Sequence, residues 1–353
     1  EIVYKRYRYR NIAFKGSFTP GNYLADIQFA DRNGSLTVDA FFGTAPYQYL
    51  SMNINADNLN LHAYHLASRD SLTLTASATA NIAGKDITDI DNIIGRITVD
   101  SLYYSDTQNK WSMNNLTANM GILNGVYRMT SVYSDFMNIS MIGEYRFSTL
   151  GRSVSKACSD VLPTVGKLVT SKTGRYISSK PNFFVVEGRI DNMDFMQPIF
   201  NIPVSIDNPA DIHLTFNDIS DYYSGTVNVP GIKIADEHVT DASVSFNLAN
   251  GSGSTEVSGK YANKKIGLTS LSASLTAFSD MVQGTYSWNN PDGDLSGKVN
   301  SLTQFNGYDR RRGMNTTSTI SPTSVVVNGV PWDIAEAEIS TRMHKVYISG
   351  LNL

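Results

Sequence analysis

Few side chains in this sequence have the type and spacing that chemistry needs. His62 and His65 are the closest pair among five histidines. Because the side chains of a strand alternate between its two faces, a separation of three residues places this pair on opposite faces. The pair therefore does not converge on a metal ion. The other three histidines are isolated, a position more typical of surface or core residues than of ligands.

Acidic and glycine-rich motifs do not complete a site either. Asp292 and Asp294 resemble the start of a calcium loop, but the downstream glutamate of such a loop is missing. Gly251-Ser252-Gly253 lacks the third glycine and the following helix of a dinucleotide site. No Gly-x-Ser-x-Gly nucleophile elbow occurs. We therefore predict no catalytic residue, no metal site and no cofactor, and we do not expect an enzyme.

Two short basic stretches stand out in a chain whose net charge is only -3. Residues 6–10 alternate between arginine and tyrosine, which predicts a strand with one aromatic and one cationic face. Arg310-Arg311-Arg312 forms a second basic run. For both stretches we favour a solvated surface over a contact with anionic head groups or, for the second run, with protein. The small net charge gives no general electrostatic case for nucleic acid.

The sequence pattern predicts that the elements that carry these residues are strands. In residues 71–80, Leu72, Leu74, Ala76 and Ala78 fall on one side of an extended backbone, and hydroxyl-bearing residues fall on the other. Charged residues make up only 17% of the chain, which suits hydroxylated strand faces better than charged surface helices. The same alternation recurs in roughly twenty to twenty-five short strands, a pattern typical of all-β proteins.

Turn signals separate the strands. Asp31-Arg32-Asn33-Gly34 lies between two β-rich runs and predicts a hairpin, because asparagine and glycine both tolerate a positive φ. Pro230-Gly231 predicts a type II turn after Val227 and Val229.

One segment, residues 148–181, has helical spacing. Its apolar residues recur at intervals of three and four residues, and Pro163 is expected to kink or restart the helix. We expect this amphipathic helix to pack on the β surface and to cap or plug a trough. The residues assigned to this plug are Val154, Val161, Val165 and Leu168. The predicted organisation is a first β segment at 1–147, the helical insertion at 148–181 and a second β segment at 182–353.

Several degenerate motifs carry a resemblance to a known family. They are Gly95–Leu102, Phe184–Asp191, Phe200–Ile206, Val229–Ile234, and Val330–Ile334 followed by Val346–Leu351. In these motifs, and in its general sequence pattern over nearly the whole chain, the protein resembles the TamB and AsmA-like family of envelope proteins, in the version typical of the Bacteroidetes. The chain departs from the full family pattern, because it shows neither an N-terminal anchor nor an evident final family domain.

The resemblance implies an elongated, curled β-sheet, the β-taco or repeating β-groove, with an apolar interior. It implies periplasmic transport of phospholipid between the inner and outer membranes, or help in assembling outer-membrane proteins with an Omp85-class, TamA-like partner barrel. It also implies an inner-membrane anchor in a missing N-terminal segment. The residues expected to line the lipid groove are Leu72, Leu74, Ala76, Ile97, Val99, Val186, Ile190, Leu214, Phe216, Val227, Val229, Val244 and Phe246.

Three other interpretations stay open at this point. A surface adhesin or carbohydrate-binding β protein would use the abundant tyrosines and asparagines for sugar contacts. A polysaccharide-cleaving enzyme on a β-helix would need Asp, Arg or Lys clustered on adjacent rungs, and no such cluster is evident. A structural all-β protein would close its apolar faces into sealed sandwich cores.

Overall fold

The computed structural model describes residues 2–173, 181–235, 237–263 and 267–350. Strands hold 66% of the chain and helices 9%, so the all-β prediction is confirmed at the level of fold class. The chain forms two compact units, each built from two stretches of sequence. The first unit comprises Glu1–Ile142 and Gly188–Ser205, and the second comprises Gly143–Glu187 and Ile206–Leu353.

Eleven strands precede the helical segment in the described residues. They are β1 (Ile2–Tyr4), β2 (Tyr7–Tyr9), β3 (Ile12–Thr19), β4 (Asn22–Asp31), β5 (Gly34–Gly43), β6 (Gln48–Asn60), β7 (Thr73–Gly84), β8 (Ile94–Ser105), β9 (Lys110–Leu123), β10 (Tyr127–Tyr133) and β11 (Met137–Glu144). Helix α1 (Leu150–Val161) and helix α2 (Pro163–Thr173) follow. Short 3-10 turns lie at Ile90–Asn92 and Phe147–Thr149.

Fourteen strands follow the helical segment in the described residues, with a single π-helical turn at Met196–Phe200. They are β12 (Phe183–Ile190), β13 (Val204–Ile206), β14 (Ala210–Asn217), β15 (Tyr222–Ile234), β16 (Glu237–Ala249), β17 (Ser252–Asn263), β18 (Gly267–Phe278), β19 (Met281–Asn289), β20 (Leu295–Asp309), β21 (Gly313–Ile320), β22 (Thr323–Val327), β23 (Val330–Ile334), β24 (Ala337–Arg342) and β25 (Lys345–Ser349).

Neighbouring strands of the first unit pair antiparallel from β3 to β10. The predicted hairpin between β4 and β5 is confirmed, since Asp31 pairs with Gly34 across a two-residue turn. In the second unit, β14 to β21 form a second antiparallel series. The series then forks, because the start of β20 pairs with β22 whereas its later part pairs with β21.

The type II turn predicted at Pro230-Gly231 is wrong, because β15 continues through both residues. Val229 pairs with Ala242 and Gly231 with Thr240, so the pairing skips Pro230 and Asp241. Asp241 has a φ of 51° at an irregularity of β16. A proline has no N–H to donate, so a strand tolerates it where the ladder is locally interrupted.

The helical segment breaks at Leu162, and α2 begins at Pro163, as the sequence predicts. Proline suits the first position of a helix because its missing N–H has no partner there in any case. Asp280, in the turn between β18 and β19, accepts hydrogen bonds from the N–H and the hydroxyl of Thr164 at 2.7 and 2.9 Å. The predicted end of the segment at residues 174–180 lies outside the described residues.

A buried polar network attaches α1 to the second unit. The Asp218 carboxylate, in the turn after β14, accepts hydrogen bonds from the Ser153 hydroxyl at 2.7 Å and the Asn182 N–H at 2.9 Å. Its other oxygen accepts from the Tyr223 hydroxyl at 3.3 Å. All four residues are buried. The buried residues of α1 therefore include the small polar residues Ser153 and Ser155 beside Ala157 and Val161, whereas the sequence led us to expect an apolar stripe alone.

A second buried cluster lies in the first unit, where β2 packs on the strand series. The rings of Tyr9 and Tyr64 contact Phe29, and the Tyr7 ring contacts both of these tyrosines edge-on. The Asp31 carboxylate accepts hydrogen bonds from the hydroxyls of Tyr7 and Tyr64 at 2.6 and 2.7 Å. The aromatic face predicted for residues 6–10 is thus the packed face of β2.

This cluster predicts an acid-sensitive first unit. Burial by itself raises the pKa of Asp31, but the hydrogen bonds that its carboxylate accepts outweigh burial, so the pKa lies below its ordinary value of 3.8. A lowered pKa stabilises the folded state above the ordinary value, and this stability is lost as the pH falls through the folded-state pKa. In urea unfolding followed by tyrosine circular dichroism, we expect Asp31→Asn to flatten the loss of stability below about pH 4. Asp57→Asn, an exposed carboxylate on β6, should leave that loss unchanged, and equal pH profiles for wild type and Asp31→Asn would contradict the assignment.

Candidate functional site

The strand register of the first unit collects apolar side chains on one face. Residues directly opposite each other in an antiparallel pair share a face. One row of paired residues crosses seven strands: Phe14, Ile27, Val38, Ile54, Ala78, Val99 and Leu116. The parallel row on the opposite face is polar: Lys15, Asp26, Asp39, Asn53, Thr79, Thr98 and Thr117. We call the side that carries the first row the first apolar face.

The middle of the first apolar face is not sealed. The next row along it contains Ala25, Ala40, Met52, Ala80, Ile97 and Ala118. Ala80 is the only buried side chain of these two rows, and the other residues of the middle strands are half-buried. Phe14, on β3 at the end of the series, is 56% exposed. One end is covered, because Phe29 and Ala56 belong to a buried cluster with Leu59 and Tyr64. A half-exposed apolar surface of this extent is unusual for a finished hydrophobic core.

The second unit repeats this arrangement. A row of paired apolar residues crosses seven strands: Ile212, Val227, Val244, Val257, Ala273, Tyr286 and Val299. The neighbouring row on the opposite face is polar: His213, Thr226, Ser245, Glu256, Ser274, Thr285 and Asn300. Val257 is 38% exposed and Tyr286 is 40% exposed. We call the side with the apolar row the second apolar face.

A groove of about 360 Å³ lies on the second apolar face. Valine, leucine, alanine and aromatic side chains dominate its lining, and no charged residue contributes to it. Its lining includes Val239, Val244, Val257, Leu271, Tyr286 and Trp288, together with Ser243, Ser258, Ser272 and Ser287. The irregularity around Asp241 brings Val239 into the groove, because it shifts the register of β16 by one residue between Thr240 and Ser243.

The helical segment lies over one end of the second apolar face. A Cβ on Gly253 would stand 3.6 Å from a methyl carbon of Val161. Gly253 pairs with Leu248 and Ala277, which lie on the apolar side. The helical segment therefore covers the strand ends at this side and leaves the groove residues uncovered.

The register brings together many of the residues that the sequence singled out. In the first unit, Leu74, Ala76, Ile97 and Val99 lie on the first apolar face, and Leu72 is buried just before β7. In the second unit the second apolar face carries Leu214, Phe216, Val227, Val229, Val244 and Phe246.

Strand β12 carries the remaining two predicted groove residues. Val186 and Ile190 follow Phe184 at even spacing, and the Phe184 ring stacks on Phe216 at 5.0 Å. Because even spacing keeps strand side chains on one face, all three point to the same side of β12. Val186 belongs to the second unit and Ile190 to the first.

The four helix residues named as a plug occupy different surroundings. Val161 is buried, Val165 and Leu168 are half-buried, and Val154 is exposed. Val154 is exposed although its neighbours Ser153 and Ser155 are both buried.

Sequence reasoning omitted several residues of both faces. Met52, Ile54 and Leu116 alternate as regularly as the residues that were named, so the same signal was available for them. Trp288 is different, because its place in the groove depends on the pairing of β19 with β20. Trp288 pairs with Gly297, and a Cβ on that glycine would overlap the indole ring.

The close approach of the Trp288 ring to Gly297 predicts what a methyl group at position 297 would do. We expect Gly297→Ala to displace the Trp288 ring, to narrow the groove and to weaken binding of an apolar probe several-fold. Tryptophan fluorescence with and without a fatty-acid probe measures both effects. Gly121→Ala is the matched control, because nothing lies within 4 Å of a Cβ at that position. Equal spectra and equal probe binding for the two variants would contradict this packing.

The described residues contain no group of three His, Cys, Asp or Glu side chains placed to hold a metal ion. None of their helices has the length and apolar character to cross a bilayer.

Comparisons with protein-family models, with curated proteins and with solved structures find no match for this chain. The resemblance to the TamB and AsmA-like family therefore stays a prediction from the sequence. The site that the structure offers is a pair of half-exposed apolar sheet faces, each backed by a polar face.

Proposed function

We propose that the two apolar faces bind the acyl chains of lipids. The observation that carries this proposal is the combination of continuous apolar rows and incomplete burial in both units. Contact between such an apolar surface and water is unfavourable. A flexible hydrocarbon chain that covers the surface removes this contact without requiring a pocket of fixed shape. Phospholipid head groups would stay in water at the margin of the face.

The expected affinity for one acyl segment is modest. At about 30 Å³ for each water-sized group, the groove of about 360 Å³ has room for about twelve methylenes. Burial is worth about 0.8 kcal/mol per methylene, or about 5 kcal/mol if half of each methylene is covered. Association costs of about 4 kcal/mol or more oppose this gain. Weak binding at each position, repeated along an extended face, suits an acyl chain that must move along the protein as well as bind to it.

We propose, from the family resemblance together with these faces, that the protein carries phospholipid between the inner and outer membranes. In this proposal it works in the periplasm of a Gram-negative envelope, anchored in the inner membrane. Help in outer-membrane protein assembly, with an Omp85-class partner, is the related role that the same resemblance implies. None of these roles asks for a catalytic residue or a cofactor.

The test of acyl-chain binding is direct. The chain is purified without detergent after expression in a Gram-negative host, and bound lipid is extracted and identified by mass spectrometry. We expect phospholipid to accompany the protein and to be displaced by a long-chain fatty acid. Protein free of lipid that also fails to bind a fluorescent fatty acid would refute the proposal.

A carbohydrate-binding function is the second candidate, because exposed tyrosines lie among hydroxyl and amide side chains on the polar side of the first unit. Tyr103 and Tyr133 pair with Ser112 and Thr117 there. The double variant Tyr103→Ala and Tyr133→Ala separates the two functions. Acyl-chain binding predicts unchanged lipid content, whereas a carbohydrate-binding protein would lose glycan binding in a glycan array.

A further inference from the structure

Two hairpin turns that are distant in sequence meet in the second unit. The turn after β20 and the turn after β24 are neighbours, because β21 pairs with β24 from Thr316 and Thr341 onwards. His344 Nε2 donates a hydrogen bond to the Arg311 carbonyl oxygen at 3.3 Å. The His344 ring also lies 2.8 Å from the place of a Cβ on Gly313. The two turns therefore form one surface.

This surface concentrates positive charge. We define the two-turn basic patch by its five cations: Arg310, Arg311, Arg312, Arg342 and Lys345. All five are exposed, and none forms an ion pair with another described residue. Asp309 is the acidic neighbour, and its carboxylate accepts backbone hydrogen bonds from Arg311 and Arg312 at 2.9 and 2.8 Å. Five cations less one carboxylate leave +4, in a chain whose net charge is -3.

Exposed apolar side chains lie in the same turn and in the strand that follows it. Met343 is 61% exposed between Arg342 and His344, and Val346 is 64% exposed directly after Lys345. Tyr347 and Ile348 continue this exposed surface along β25. The combination of exposed apolar side chains with cations is the one that amphipathic helices use to lie in a membrane interface.

We propose that the two-turn basic patch docks on an anionic phospholipid bilayer, with its arginines and lysine at the head groups and Met343 and Val346 between them. Each cation near an anionic leaflet contributes favourably, and the sum over five makes the binding salt-dependent. This inference goes beyond acyl-chain binding by the sheet faces and does not depend on it.

The apolar component favours a bilayer over other polyanions. Nucleic acid and acidic protein surfaces would engage the arginines, but they offer no hydrocarbon layer for Met343 and Val346. Nucleic acid recognition would also gain from aromatic rings placed for base stacking, and Tyr347 is the only aromatic residue among these exposed apolar side chains.

The experiment is flotation of the full chain with vesicles. Phosphatidylcholine vesicles that contain roughly a quarter phosphatidylglycerol are compared with pure phosphatidylcholine, at low and at high salt. The patch variant is Arg311→Glu with Lys345→Glu. The control variant, Lys110→Glu with Lys298→Glu, makes the same change in net charge at exposed lysines outside the patch.

We expect wild type to float with the anionic vesicles at low salt and to be released by high salt. The patch variant should bind at least about tenfold more weakly, whereas the control variant should lose about twofold or less. Met343→Ser should weaken the binding that survives at intermediate salt. Equal binding by the patch and control variants would overturn the proposal, as would unchanged vesicle binding together with lost retention on single-stranded DNA.

Discussion

The double variant Val99→Asp with Val257→Asp is expected to lose most of the lipid that the wild-type chain retains. Each substitution places a charge in the middle of one apolar face, where an acyl chain would have to lie against it. A carboxylate strongly disfavours contact with hydrocarbon, because it loses hydration there without gaining a hydrogen bond. We expect about a tenfold reduction or more in lipid per protein, measured by quantitative mass spectrometry of extracted lipid.

The matched control moves each charge to the polar face of the same strand. Thr98→Asp with Ser254→Asp changes the same two strands and the same net charge, but these side chains point to the polar faces. We expect lipid content close to that of the wild type. Both variants should fold, since Val257 is already 38% exposed and Val99 is only half-buried, and far-ultraviolet circular dichroism checks this. Equal lipid loss in both variants would mean that the faces do not differ in function.

The second large effect concerns the attachment of the helical segment. Asp218→Ala leaves the Ser153 hydroxyl, the Asn182 N–H and the Tyr223 hydroxyl without their shared acceptor in a buried site. Each unsatisfied buried group costs about 1 kcal/mol or more, so we expect the second unit to lose about 3 kcal/mol of unfolding free energy. Fluorescence-monitored urea unfolding measures this loss.

Hydrogen exchange shows where the loss falls. We expect the amides of α1 to exchange much faster in Asp218→Ala while those of β17 and β18 keep most of their protection. Asp292→Ala, at an exposed turn of the same unit, should change neither measurement. Unchanged protection of α1 in Asp218→Ala would contradict the role of this network as the attachment of the helix. Lipid content measured on the same variant then tests whether α1 limits the end of the second apolar face.

Local rules account for most of the strand structure that the sequence predicts. Strict alternation predicts which residues share a face, as in Leu74, Ala76 and Ala78, because the side-chain period of a strand is two. The hairpin at Asn33-Gly34 follows from residues that accept unusual backbone angles. The break at Pro163 follows from the missing N–H of proline.

Local rules do not predict irregularities in strand pairing. Leu102 joins Ile97 and Val99 on the first apolar face although its position is even, because the pairing of β8 shifts by one residue at Asp100. At Pro230-Gly231 the prediction failed because the partner strand accommodates the proline at Asp241. Both outcomes depend on the neighbouring strand, which local sequence does not reveal.

Features that depend on contacts between residues far apart in sequence could not be predicted from the sequence. Ser153 is buried in α1 beside Ala157 and Val161 because it hydrogen-bonds to Asp218 and Asn182, which lie far from it in sequence. The basic run at Arg310–Arg312 looks solvated by itself, and only the pairing of β21 with β24 brings Arg342 and Lys345 beside it.

A crosslinking scan along β17 tests the central claim most directly. A photo-reactive amino acid is placed in turn at positions 254 to 257, and covalent adducts of phospholipid acyl chains are counted by mass spectrometry. Because Thr255 and Val257 lie on the second apolar face, we predict adducts at these two positions only. Adducts at Ser254 and Glu256 in equal yield, or at none of the four positions, would contradict acyl-chain binding by this face.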